Sequence, residues 1–179
     1  LYKLFVERAN QLVKPNGFVG LLTPTGIATD EASANFFNEI AVNGRVKNLY
    51  DFENRRTRFE AEPFFPEVDS RFKFCVIVMS HAPSKNPARC AFFLQATSEL
   101  ADPERCFTLG AKDFAHVNPN TKTAPLFRFR RDAVLTTDIY DRFPVVNNRA
   151  GAEAVKSWPI RFDQMLNMTT DSELFASRD

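Results

Sequence analysis

The residues best equipped for chemistry in this chain are arginines interleaved with aromatics, together with one Thr-Pro-Thr-Gly turn. Lys122, Arg128, Arg130 and Arg131 surround Phe127 and Phe129, with only Asp132 opposing them. Guanidiniums donate in planar forks that suit phosphate, and aromatic rings stack on bases, so the pattern fits a nucleic-acid contact. Asn118, Asn120 and Thr121 stand beside it and offer hydrogen bonds to sugar or phosphate. The competing reading makes Phe127 and Phe129 core residues and the arginines caps on a linker. A second cluster, Arg55, Arg56 and Arg58 with Arg45 and Lys47 nearby, also suits phosphate on a charged loop. Glu53, Glu60 and Glu62 weaken its field, and a solvated loop laced by ion pairs explains it equally well. Thr23-Pro24-Thr25-Gly26 closes an apolar run that reads as a strand. In open α/β sheets the carboxyl ends of strands face the ligand. The simpler reading is a strand-to-helix turn.

Other candidates for reactivity are poor. Asp51 and Glu53 share one side of a strand but have no His, Ser or Cys partner nearby in sequence. Cys75 lies inside an apolar strand and reads as a small core residue. The three cysteines, Cys75, Cys90 and Cys106, are widely spaced and form no CxxC pair, which argues against a disulfide framework or zinc and for a reducing cytoplasm. His81 and His116 lack metal-ligand spacing. No catalytic and no metal-binding residue is therefore expected. A net charge of +1 excludes a uniformly basic protein but not a local patch. No apolar run reaches membrane-spanning length and no signal peptide is visible, so a cytoplasmic protein without a membrane partner is expected.

The elements that must position these groups follow from periodicity. Leu1 to Val13 reads as a helix with apolar Leu1, Leu4, Phe5, Leu12 and Val13 against Lys3, Glu7 and Lys14, stopped by Pro15-Asn16-Gly17. Phe18 to Thr23 reads as a strand covered on both faces. A polar loop from Thr25 to Asp30 leads into a helix over Glu31 to Val42, with Phe36, Phe37 and Ile40 inward. Arg45 to Glu53 reads as a strand. A charged connection over 54–69 holds a Phe64-Phe65-Pro66 plug. Phe72 to Met79, aromatic and β-branched, is the strongest strand. With no helix between them, these last two strands should pair antiparallel. Pro83 to Pro87 reads as a domain boundary, giving parts 1–82 and 83–179. Beyond it come a strand at Ala88 to Leu94, one or two helical turns at Ala111 to Val117, a turn-rich loop at 118–125, and a helix at Arg131 to Phe143 with Val134, Leu135, Ile139 and Tyr140 on one side. The expected fold class is α/β, a mixed sheet with an antiparallel last strand, followed by an irregular α+β extension. A parallel strand needs a strand ahead of its helix. None precedes Leu1 and no starting Met is present, so a segment of a larger protein is expected, with a first strand whose open sheet edge favours self-association.

With these residues in view, the chain resembles the adenine-specific DNA methyltransferases of the large restriction–modification and phage-exclusion enzymes (the type IIG-like kind). Tyr2-Lys3-Leu4-Phe5 and Gly17-Phe-Val-Gly-Leu-Leu-Thr-Pro24 match the helix and strand that follow the family's catalytic Asn-Pro-Pro-Tyr/Phe loop. Asp51-Phe52-Glu53-Asn54, Phe64-Phe65-Pro66 and Arg71-Phe-Lys-Phe-Cys-Val-Ile-Val78 resemble its next blocks in order. Asn118-Pro-Asn-Thr121, Pro125-Leu-Phe-Arg128, Arg131-Asp-Ala133, Ile139-Tyr140, Met168-Thr-Thr-Asp-Ser172 and Leu174-Phe175 resemble later ones. The resemblance implies the C-terminal part of a Rossmann-like methyltransferase sheet, with 83–179 leading toward a target-recognition region.

It further implies duplex DNA as a partner, Thr23 and Pro24 as a wall of the pocket for an adenine extruded from the duplex, and S-adenosylmethionine as cofactor of the parent enzyme. The Gly-rich turn and the Asn-Pro-Pro-aromatic loop are absent. This segment alone is therefore expected to bind no cofactor and methylate nothing; it would support the sheet, shape the base pocket and touch DNA, with the N-terminal part of the same protein as its partner. An alternative of a different class is a non-catalytic DNA-binding or scaffolding remnant of such an enzyme.

Overall fold

The computed structural model describes residues 1–143, 145, 158, 160 and 163–176. Five strands form one open mixed sheet: β1 (Phe18–Pro24), β2 (Val46–Glu53), β3 (Lys73–Ser80), β4 (Ala88–Leu94) and β5 (Phe107–Leu109), in the order β1-β3-β2-β4-β5. The helices are α1 (Tyr2–Leu12), α2 (Gly26–Thr29), α3 (Ala34–Val42), α4 (Ala111–Val117) and α5 (Arg130–Arg142). The architecture is α/β.

β3 is antiparallel to both β1 and β2, so β1 and β2 run parallel on either side of it. β4 joins β2 in parallel, and β5 closes the far edge antiparallel to β4. The antiparallel pairing expected for the two strands without an intervening helix is present, but β3 lies inside the sheet. Its composition explains this. Cys75, Ile77 and Met79 are fully buried on one face, and Phe74, Val76 and Val78 point to the other, so both sides suit a central position.

The helices cover one face. Val6 of α1, Ile27 and Ala28 of α2, Phe37, Ile40 and Ala41 of α3, Phe114 and Val117 of α4, and Ala133 of α5 join one cluster with Leu49, Cys75, Ile77, Met79, Cys90 and Phe92. The opposite face holds a smaller cluster of Phe52, Ala91 and Leu94 with Phe64 and Phe74.

Several expectations change. β1 is not covered on both faces: its burial alternates, with Phe18 at 67% and Leu22 at 57% exposed. In α1 the buried residue is Val6, whereas Leu1, Leu4, Phe5 and Leu12 are exposed. In α5 it is Ala133, whereas Val134, Leu135 and Ile139 face outward and Tyr140 is half-buried. A small side chain marks the close approach of a helix to its sheet, and the bulkier neighbours are left outside. The polar loop expected at 25–30 contains the short α2, and the helix expected from Glu31 begins as a 3-10 turn over Glu31–Ser33.

The boundary expected at 82/83 falls inside the sheet. The proline-bounded stretch at 83–87 is a loop between β3 and β4, and β4 lies beside β2. Compact units instead span Leu1–Pro144 and Val145–Asp179. In the second unit a 3-10 turn covers Ser172–Leu174, and the Asp171 carboxylate accepts the Asn167 N–H at 2.8 Å.

Candidate functional site

β1, β2 and β4 end on the same side of the sheet, and polar residues converge there. At the end of β1, Thr23 is buried and lies opposite Cys75 of β3, 3.6 Å from hydroxyl to sulfur. Burial pushes the Cys75 thiol up to about 12, which makes it a core residue and not a nucleophile. Thr25 donates its hydroxyl to Asp51 Oδ1 at 2.6 Å, and the backbone N–H of Phe93 donates to Asp51 Oδ2 at 3.1 Å. The buried carboxylate of Asp51 thus ties the turn after β1 to the end of β4.

Thr23 and Pro24, expected as a pocket wall, line a cavity of about 300 Å³. Its other walls are Leu22, Phe65, Val68, Phe72, Lys73 and Phe74, with Asn54 beneath. The Phe64-Phe65-Pro66 plug builds this wall. Phe74 stacks on Phe52 at 5.2 Å between centroids and meets the edges of Phe64 and Phe65 at 5.4 and 5.0 Å. Such offset and edge-on pairs fix ring orientation beyond simple burial. Asn54, 1% exposed, holds the loop in place: its amide donates to the carbonyls of Phe65 and Val68, and its oxygen accepts the Phe65 N–H.

The first arginine cluster turns inward. Arg56 donates to the Gln95 carbonyl and lies over the Phe64 ring at 4.7 Å. Arg58 donates to the Phe93 carbonyl and pairs with Glu99. Arg55 pairs with Glu53. Arg56 and Arg58 lash the loop after β2 to the end of β4, and only Arg55 keeps most of its side chain in solvent (58%). The ion-paired loop is the arrangement found.

The second cluster divides. Phe127 is buried in the main core, as the competing reading had it, and Arg131 lies over the Phe129 ring at 4.9 Å. Arg130 and Arg131 are exposed at the start of α5, and Lys122 is exposed at a positive φ of 54°. Arg128 is half-buried over the ring of Phe93 at 5.0 Å. Asn118 donates to the Thr123 carbonyl and Thr121 shares a hydrogen bond with Thr123, so both hold the loop, while Asn120 is exposed. The amide of Ala124 donates to the Ala28 carbonyl, stitching this loop to α2.

Two residues that sequence did not single out organise the site. Arg105, 3% exposed, donates to Glu99 and to the carbonyls of Phe92, Phe93 and Arg128. Phe93 adopts φ +57°, a conformation a bulky side chain rarely takes. Arg105 follows the chain-breaking Asp102-Pro103 pair, and a charged residue there gave no signal of burial.

Glu53 is 4% exposed and accepts Gln95 Nε2 at 2.6 Å, with Arg55 and Lys73 also close. Burial on its own raises this carboxyl; the Gln95 amide and Arg55 outweigh it and hold the group below its ordinary value. A depressed carboxyl stabilises the folded state above the unfolded pKa, about 4.3, and that contribution is lost as pH falls through the folded value. Urea melts of Glu53→Gln are expected to show a shallower loss of stability below about pH 4.3 than wild type. Parallel acid limbs for the two proteins would contradict this.

The described residues hold no group of three or more His, Cys, Asp or Glu able to bind a metal, and no helix among them is long and apolar enough to cross a membrane. Nor do the residues fit S-adenosylmethionine. The chain's six glycines are dispersed. Gly26 and Gly110, just after β1 and β5, face the carboxylates of Asp30 and Asp113, 2.2 and 3.5 Å from an added Cβ. No protein-family model matches the chain, and no curated protein matches it.

Proposed function

We propose that the chain is the C-terminal part of the catalytic domain of an adenine-specific DNA methyltransferase serving restriction–modification or phage exclusion. The observation that carries this is the cavity at the carboxyl end of β1, where Thr23 and Pro24 meet the rings of Phe65, Phe72 and Phe74. Flat apolar walls with a cation and an amide nearby suit a base extruded from a duplex. Though β3 is central and not last, the open mixed α/β sheet agrees with the Rossmann-like sheet that the resemblance implies. So do the plug and the Asp51-Phe52-Glu53-Asn54 strand end, each of which builds part of the site.

In this reading the chain binds and orients the base and touches the DNA backbone. Another part of the parent supplies the Gly-rich turn for S-adenosylmethionine and the loop that presents the adenine amine. The open edge of β1 and its exposed Phe18 and Leu22 are where that part would join, and where the isolated chain would self-associate.

The test joins this chain to the coding sequence upstream of Leu1 and measures methyl transfer to adenine in duplex DNA. The joined protein is expected to be active and Phe72→Ala to lower kcat/KM by about 10-fold or more, as for loss of a stacking wall. The chain alone is expected to transfer nothing. A joined protein carrying both upstream motifs yet inactive on every duplex, or an upstream sequence lacking them, would sink the proposal.

A further inference from the structure

We propose that Phe93, Lys73 and Arg128 form a phosphate-contact site for the nucleotide whose base enters the cavity. For its choice of ligand the inference rests on the cavity reading above; its geometry stands independently. The Lys73 ammonium lies 4.0 Å from the centroid of the Phe93 ring, and the Arg128 guanidinium lies 5.0 Å from it. One half-buried ring thus gathers two cations from segments 55 residues apart in sequence.

The backbone of Phe93 is held from both sides. Its N–H donates to Asp51, and its carbonyl accepts Arg58 at 2.8 Å and Arg105 at 3.1 Å. These contacts keep it at φ +57°. A bulky residue in that conformation is costly and persists where surroundings over-determine it, commonly at functional sites. Here the strained residue sits within β4 just before its end, where the pairing with β2 shifts register, and presents the ring at the carboxyl end of the parallel strands, where open α/β sheets bind ligands.

The charges point the same way. No carboxylate among the described residues pairs with Arg128. Buried Arg105 lies next to it, bonded to the Arg128 carbonyl. Lys73 has Glu53 at 3.9 Å, the outer limit of an ion pair. Lys73 also lines the cavity, so the cavity and the two cations adjoin at this residue. Phosphate oxygens are the groups that planar and point cations at such an edge recognise.

Amide NMR titrations of the full chain separate this site from the cavity. Adenosine, adenosine 5′-monophosphate and a short duplex are the probes. Adenosine is expected to shift Thr23 and Phe65. The monophosphate and the duplex are expected to shift Phe93 and Arg128 as well. The double variant Lys73→Gln, Arg128→Gln should lose the latter shifts, and the salt slope of its duplex affinity should fall by about 0.9 for each phosphate contact removed.

Phe93→Gly keeps the left-handed backbone without the ring and should weaken duplex binding. An unchanged salt slope in the double variant, or monophosphate shifts confined to the cavity, overturns the phosphate site and leaves the cavity reading standing. Shifts of Phe93 and Arg128 without any adenosine response at Thr23 and Phe65 overturn the cavity reading and support the site. No response to any probe overturns both.

Discussion

Replacing Arg105 by Ala is expected to lower the unfolding free energy by about 1–3 kcal/mol, the cost of leaving buried carbonyls without their donor. Arg105 donates to Glu99 Oε1 at 3.0 Å, to the carbonyls of Phe92 and Phe93 at 3.0 and 3.1 Å, and to that of Arg128. Removing it takes this donor from the buried carbonyls of Phe92 and Arg128, while Glu99 and the Phe93 carbonyl keep Arg58. Arg105→Lys offers one point of donation in place of a fork and is expected to recover only part of the loss. Urea denaturation measures both. A loss below about 1 kcal/mol for Arg105→Ala would show that the guanidinium is not anchored as described.

Asn54→Ala is expected to cost about 1–3 kcal/mol and to loosen the wall of the cavity. The side chain makes three hydrogen bonds of 2.8–2.9 Å to the 65–68 loop. Without them the backbone of Phe65 and Val68 must turn to water, which carries the Phe65 ring away from Phe74. Asn54→Asp should be worse, since it puts a buried carboxylate against two carbonyl oxygens. Hydrogen exchange at the Phe65 amide and proteolysis within 64–70 report the change. Unaltered protection at Phe65 in Asn54→Ala would contradict the role given to Asn54.

What sequence made legible was strongest where one periodicity admitted one solution. The aromatic and β-branched run ending at Met79 marked a strand, but not its central place in the sheet. Ala88–Leu94 appears at the bounds its composition suggests. The longer helices were found, but not their buried sides: Leu4, Phe5 and Leu12 look as apolar as Val6, and only tertiary packing selects among them. The same limit explains Arg56 and Arg58. Their partners, Gln95 and Phe93, lie 39 and 35 residues away, beyond any local charge pattern. Thr23 and Pro24 do lie on a cavity, because the carboxyl end of a strand is a topological place that composition can mark. Phe93 was invisible, since its importance resides in a backbone angle and in cations drawn from two other segments.

The seating of β4 beside β2 bears on how the molecule may be divided. The loop between Ser80 and Ala88 looks like a natural place to cut, yet each side of it owns an incomplete ladder that only the other can finish. A chain nicked there would yield complementary fragments that recombine, and neither fragment expressed singly would hold a finished core. Splits, fusions and reporter insertions meant to leave the first unit whole belong after its last helix.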